Sequence, residues 1–335
     1  TPTGFRALSN DDTQGGNGTQ YVYVAIRRPH KPPTAGTDVL DIVSRVGTGS
    51  TTVVNTNIEP VDFVITKSTN QTNAPVGLTR LMGNHTHAFN SDTDANTNIF
   101  GSNINPWDVQ DGIRFSGDGD TNGGSSWTYI NYFFRRAPGF FDVVIYDGNS
   151  DSPRQVDHNL GVRPELIIVK NLDYTKPWPV WSAYGDYPGN EHVHGFLGSS
   201  SSDFNNYGAF SNAVDQSTLV TDSIFTVRND SAYAHQANNT FVAYLFASLT
   251  GISKIGRYQG NGTSQTINCG FSNGARFVLI KAMNTTSDWR VFDTVRGINA
   301  ANQDPVFSLN SNATQVTNQD WIRPDNSGFE INTSN

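Results

Sequence analysis

The 335 residues carry a formal net charge of −8 with only 16% charged side chains, against 11% aromatics and many Gly, Asn, Ser, Thr and Asp. This balance argues against a nucleic-acid binder, which needs Lys and Arg gathered into a stripe, and against long helices, because it suits short strands joined by polar turns. No apolar run approaches the roughly 18–20 residues of a bilayer span, the first residues lack the charged and apolar regions of a signal peptide, and one cysteine, Cys269, rules out an intrachain disulfide framework.

From the N-terminus, the first apolar runs are Gly4-Phe-Arg-Ala-Leu-Ser and Tyr21-Val-Tyr-Val-Ala-Ile-Arg-Arg-Pro. Val39-Leu-Asp-Ile-Val-Ser-Arg-Val46 follows, then Pro60-Val-Asp-Phe-Val-Ile-Thr-Lys67, the pair His85-Thr-His87 and the acidic turn Asp118-Gly-Asp-Thr-Asn-Gly123. From there the elements return. Tyr21 is answered 108 residues later by Tyr129-Ile-Asn-Tyr-Phe-Phe-Arg-Arg, and after a further 112 by Phe241-Val-Ala-Tyr-Leu-Phe-Ala-Ser. The run ending at Lys67 is answered by Pro164-Glu-Leu-Ile-Ile-Val-Lys170 and Ala275-Arg-Phe-Val-Leu-Ile-Lys281. Eight residues past the last two lysines stand Trp178-Pro-Val-Trp181 and Trp289-Arg-Val-Phe292; the first copy has Val76-Gly-Leu there. Phe141-Asp-Val-Val-Ile-Tyr-Asp and Ile255-Gly-Arg-Tyr-Gln-Gly-Asn repeat the opening run of Val39.

Three unrelated elements in one order and nearly one spacing make a tandem array. The expected fold is all-β: antiparallel, jelly-roll-like β-sandwich repeats of about 105–112 residues. The divisions are residues 1–36, the closing strands of a preceding repeat; 37–138 and 139–250, complete repeats; and 251–335, a repeat without its closing strand. The partial units read either as an excerpt of a longer array or as a strand donated to a neighbouring chain. The excerpt is the simpler reading, because donation needs an added assembly mechanism.

Within 139–250 the strand candidates are Phe141–Tyr146, Gln155–His158, Leu166–Lys170, Pro179–Ser182, Val193–Leu197, Ser223–Val227 and Thr240–Ala247, each bounded by turn residues. Leu166–Val169 is apolar throughout rather than alternating, which predicts a central strand covered on both faces. The closing run from Thr240 is expected to be central too.

The site candidates each have a structural alternative. Trp178, Trp181 and Trp289 could offer faces for sugar stacking, but their shared register favours core packing. His85 and His87, like His192 and His194, stand two apart, a spacing that puts both on one face of a strand and allows joint metal binding; polar surface histidines are the alternative. Asp118, Asp120 and Asn122 imitate the first half of a calcium loop, yet Tyr129 stands where the closing acid belongs, so a hairpin turn fits better. No cofactor is implied beyond such a structural metal ion. Arg27-Arg28 and Arg135-Arg136 read as solvated strand ends, and Cys269 as a strand thiol rather than a nucleophile. The acids Asp142, Asp147, Glu165, Asp186 and Glu191 are candidates for sugar hydrolysis by type alone, with no repeated pair. No enzyme is expected.

The string Val156-Asp-His-Asn-Leu-Gly-Val-Arg-Pro-Glu-Leu-Ile-Ile-Val-Lys170, followed by Trp178-Pro-Val-Trp181 and Thr240-Phe-Val-Ala-Tyr-Leu-Phe-Ala247, resembles a repeat of tailed-phage virion proteins, common in aquatic phages. The resemblance implies a rod of β domains, a homotrimer, acting in a tail fibre or related appendage that spaces or presents host-receptor-binding elements. Its implied partners are other copies, other virion proteins and a host surface polysaccharide or receptor, with neither nucleic acid nor membrane insertion, and its implied place is the virion. A capsid-attached fibre or decoration protein and a carbohydrate-binding adhesin remain open alternatives. The first repeat has Asn55-Thr-Asn-Ile-Glu-Pro60, and the third Asn268-Cys-Gly-Phe-Ser, where the second has His158-Asn-Leu-Gly, so His158 is no common catalytic residue.

Overall fold

The computed structural model describes residues 16–25, 31–90, 100, 104–109, 111–149, 151, 153–184, 193–200, 210, 219–228, 233–298 and 303–332, with the backbone alone at 193 and 194. The first unit contains β1 (Leu40–Val46), β2 (Thr52–Asn55), β3 (Phe63–Ser68), β4 (Val76–Thr79), β5 (Thr86–Ala88), β6 (Gly112–Phe115) and β7 (Thr128–Phe134). A one-turn helix, α1 (Gly119–Asn122), separates the last two strands. The second unit contains β8 (Phe141–Asp147), β9 (Arg154–Asp157), β10 (Leu166–Asn171), β11 (Pro179–Ser182), β12 (Val193–Phe196), β13 (Ile224–Val227) and β14 (Thr240–Phe246). The third contains β15 (Gln265–Asn268), β16 (Phe277–Ile280), β17 (Arg290–Asp293), β18 (Phe307–Ser308), β19 (Ile322–Asp325) and β20 (Gly328–Ile331).

Each unit is an antiparallel sandwich. The large sheets run β1-β7-β3-β4-β5 and β8-β14-β10-β11-β12, and the small ones β2-β6 and β9-β13; the third unit has β16-β17-β18 over β15-β20-β19. Along the opening, lysine-ended and closing strands of the first two units the expected equivalences hold, whereas His87, opposite Gly77, and His194, opposite Trp181, stand one step apart in register. Lys67 lies opposite Ile130, and Lys170 opposite Val242, at the same step of the ladder. Both β10 and β14 are central strands, as their apolar runs require.

The reason for those unbroken apolar runs is not confined to one sandwich. Ile167 and Val169 of β10 point into the core between the two sheets of their own unit, with Trp181, Phe225 and Leu245. Ile168, on the opposite face, belongs to a second core shared by all the units, with Phe63, Ile65 and Tyr132 of the first, Tyr244 and Trp178 of the second, and Trp289, Val291 and Phe307 of the third. The first and third sandwiches have interiors of their own, around Val64, Leu78 and Phe133 and around Val278, Phe292 and Ile322. A large sheet with a sandwich core on one face and a common core on the other has no solvated face, so alternation disappears from its central strands.

Polar links follow the same cyclic order. The Tyr132 hydroxyl donates to Asp293 at 2.7 Å, joining the first unit to the third. The Trp289 indole donates to the Phe196 carbonyl at 3.3 Å, joining third to second, and the Tyr244 hydroxyl meets His87 Nε2 at 2.8 Å, joining second to first. The rod of separate domains implied by the resemblance is therefore corrected for these three units. They pack side by side because the outer faces of their large sheets are apolar and bury one another.

Two further expectations change. Ile255–Asn261, the third copy of the opening strand, forms no strand. In the other units that strand pairs only with the closing strand, as β1 does with β7 and β8 with β14, and among the described residues it meets no such partner in the third unit. Arg135 and Arg136 are not solvated. Arg135 is 7% exposed and donates from Nε to the Asp38 carbonyl at 2.7 Å, while Arg136 sits 3.2 Å from Asp62 and 3.7 Å from Asp142, tying the first two units. Arg27 and Arg28 lie outside the described residues.

Candidate functional site

The repeated marker residues converge on the joints between units. Lys67 and Lys170 are fully buried strand ends. Lys67 Nζ donates to the Asn73 carbonyl at 2.6 Å, to Gln71 at 3.3 Å, and across to Asn312 of the third unit at 3.3 Å. Burial lowers its pKa to about 8, partly opposed by Asp120. Lys281 does the same from the third unit to the second, reaching the Ser200 carbonyl at 3.0 Å as well as Ser287. Lys170 Nζ donates to the Lys176 carbonyl at 2.9 Å and lies 5.4 Å from the Trp178 ring centre. A buried ammonium must be matched by acceptors, and loop carbonyls supply them.

A second repeated device escaped the sequence reading. Asp41 accepts N–H bonds from Ile42 and Asn57 at 2.9 Å each, and Asp142 accepts them from Val143 at 3.0 Å and Asn159 at 2.8 Å. Both aspartates also face an arginine, Arg276 for Asp41 and Arg136 for Asp142. The sequence signal was present in the first two units: an aspartate at the second position of β1 and of β8, and an asparagine 16 or 17 residues on, with Gly256 in the third copy. Burial raises the Asp142 pKa despite its N–H donors and Arg136. At Asp41 the donors prevail over burial, and the pKa falls.

The tryptophans are not a sugar platform. Trp178 and Trp181 are fully buried and Trp289 is 5% exposed. Trp181 fills the interior of its own sandwich, while Trp178 and Trp289 fill the shared core. Stacking needs an accessible face, which none of them presents.

Among the described residues, His85 and His87 do not form a ligand set. His87 is fully buried, 4.7 Å from the Trp178 ring and 5.8 Å from Phe89. Burial, with Lys170 nearby, holds its pKa well below the ordinary value and keeps it neutral. His85 Nδ1 approaches the Met82 carbonyl at 3.3 Å in the loop before β5. His192 lies outside the described residues, and His194 is a backbone position on β12 opposite Trp181.

The supposed calcium turn is a helix start. Asp118 Oδ1 accepts the Asp120 N–H at 2.8 Å as N-cap of α1, and Asp120 accepts the Asn73 amide at 2.9 Å. Asn122 is buried, accepting from Arg45 at 2.7 Å and donating to Thr48 at 2.8 Å. The Arg45 guanidinium lies 4.7 Å from the centres of both the Phe115 and Tyr129 rings, and burial lowers its pKa to about 10. Each of these side chains has a protein partner of its own. Among the described residues no three His, Cys, Asp or Glu side chains gather where an ion could sit.

Of the candidate acids, Asp142 is committed to backbone donors as described, and Asp147 accepts from the Thr240 hydroxyl at 3.3 Å. Glu165 accepts from the Tyr184 hydroxyl and, at 2.6 Å, from the Ser248 N–H. Asp186 and Glu191 lie outside the described residues. Glu165 also borders an open cavity of about 350 Å³ lined by Val162–Glu165, Ala183, Tyr184, Ala247 and Ser248. Burial and Glu165 push the Tyr184 pKa up to about 12. Cys269 is half-buried with its Sγ 3.7 Å from the Ile267 carbonyl, and burial raises its pKa, the opposite of what a nucleophile needs.

Fold and contacts thus define an all-β protein of tandem antiparallel sandwiches whose recurring polar groups serve the joints between units. The chain belongs to the family described as a domain of unknown function, DUF7483, whose model matches residues 140–335, from the opening of the second unit onward. No curated protein and no solved structure matches it.

Proposed function

We propose that the chain is a structural protein of a tailed-phage virion, a segment of a tail fibre or related appendage that spaces or presents host-receptor-binding elements. The observation supporting this reading is the shared core: the repeated side chains are spent on holding sandwiches to one another. That arrangement suits a part that transmits position and load. The sequence resemblance of Val156–Lys170 and its companions to virion repeats supplies the setting. Purified virions of a phage encoding this chain are the test material. Gold-labelled antibody against the chain should decorate the tail or its fibres. Label on the capsid would favour a decoration role, and particles without the chain by mass spectrometry would refute a virion role.

A carbohydrate-binding adhesin is the second reading, favoured by the cavity beside Tyr184, Arg163 and Glu165. It combines a ring, a cation and a carboxylate at an open surface, the chemistry that sugars accept. Saturable binding to host polysaccharide that Tyr184→Ala abolishes would support it, and unchanged binding in that variant would remove it.

A further inference from the structure

The first unit holds two arginines where the second has a cavity. Asp62 and Glu165 occupy equivalent places, one residue before β3 and β10. The Asp62 N–H donates to the Phe134 carbonyl at 2.9 Å and the Glu165 N–H to the Phe246 carbonyl at 2.8 Å, while their own carbonyls accept from the N–H of Arg80 at 3.0 Å and of Ala183 at 2.9 Å. Just past the closing strands, the Arg136 N–H donates to the Asp62 carboxylate at 2.8 Å and the Ser248 N–H to that of Glu165 at 2.6 Å. One set of backbone bonds therefore matches Asp62 with Glu165, Arg80 with Ala183 and Arg136 with Ser248.

The side chains at these places differ. In the first unit Arg136 Nε lies 3.2 Å from Asp62, its Nη1 lies 3.7 Å from Asp142, and Arg80 donates from Nε to the Val61 carbonyl at 2.8 Å with its guanidinium 4.9 Å from the Trp107 ring centre. In the second unit an alanine and a serine replace both arginines, and the Ser248 hydroxyl turns to the Ile255 carbonyl at 3.3 Å. There the open cavity of about 350 Å³ appears, with Glu165, Ala183, Tyr184 and Ser248 among its walls.

Glu165 is half-buried and accepts from neutral donors, the Tyr184 hydroxyl on one oxygen and the Ser248 N–H on the other. Each carboxylate oxygen has two lone pairs, so both can take a further donor. Arg163 also borders the cavity, with its guanidinium 5.9 Å from the Trp181 ring centre.

We propose that this cavity binds a guanidinium group, the arginine side chain of a partner protein, which stands beside Glu165 as Arg136 stands beside Asp62. A planar guanidinium suits the place because its fork donates to both oxygens of one carboxylate and its face stacks on an aromatic ring such as that of Tyr184. The inference rests on neither reading above: it concerns the cavity that the sugar reading uses, but it needs the charge of Glu165, which a neutral sugar does not.

Calorimetric titration of the full-length chain with N-acetyl-arginine amide tests it. Binding should be saturable, absent with the uncharged isostere N-acetyl-citrulline amide, and weakened roughly tenfold or more in Glu165→Gln, which loses a charge-assisted contact. Arg163→Gln, which removes a neighbouring positive charge, should leave binding unchanged or tighter. Ser248→Arg should supply the guanidinium from within and abolish binding while circular dichroism stays that of the parent chain, a result that does not depend on how well Glu165→Gln folds. No saturation with the parent chain, equal binding of the citrulline compound, undiminished binding in Ser248→Arg, or loss of binding in Arg163→Gln, as an anionic ligand would give, would overturn the proposal. Host polysaccharide plays no part in these titrations, so the sugar reading can fail while this one stands.

Discussion

Trp178→Ala tests whether the units stand or fall together. The indole is fully buried in the shared core between His87 at 4.7 Å, Phe89 at 4.9 Å and Tyr244 at 6.5 Å, so its neighbours belong to both the first and second units. Truncating a buried tryptophan costs about 3–5 kcal/mol, because lost transfer energy and an unfilled cavity add. Unfolding entropy near 2.1 cal/mol/K per residue, taken over the whole chain as one cooperative unit, is roughly 0.7 kcal/mol/K, so Tm should fall by roughly 4–7 °C. Calorimetry should show one transition moving as a whole, and hydrogen exchange should accelerate in β3 and β5 as well as in β10 and β14. Loss of protection confined to the second unit, or a separate transition for it, would refute the shared-core argument.

Gly77→Ala should destabilise the first unit by about 1–3 kcal/mol through overpacking, because a Cβ there would lie 2.7 Å from His87 Nε2 and 2.8 Å from Phe89; urea denaturation measures it. Tyr132→Phe should cost about 1 kcal/mol by removing the hydroxyl bond to Asp293, and a double-mutant cycle with Asp293→Ala should return a nonzero coupling. Lys67→Met should lose about 1–3 kcal/mol, since it strands the Gln71, Asn73 and Asn312 carbonyls, with faster exchange in those loops. Burial depresses the pKa of His87, and of His158 and His235 with it. The unfolded chain therefore binds the extra protons below about pH 6.5, so this stability is fully present above that pH and declines as pH falls. His87→Gln should flatten the decline by up to about 1.4 kcal/mol per pH unit in urea titrations between pH 7.5 and 5.5.

The sequence alone determined the repeat and most of its strands, though not that Ile255–Asn261 would form none, because a strand buried on both faces must be written in apolar residues wherever it recurs. Leu166–Val169 and Thr240–Phe246 were legible as central strands for that reason, and the lysine closing each run marked the register. Only the tertiary structure decided what the second apolar face was for. A run of apolar side chains is the same whether it is covered by a helix, a loop or another sandwich, so the side-by-side packing around Ile168, Tyr132 and Trp289 could not be read from it. His87 and the acidic turn show a related limit: spacing tells which residues share a face, but Tyr244 beside His87, and Arg45 beside Asn122, arrive from distant segments and become their partners within the fold.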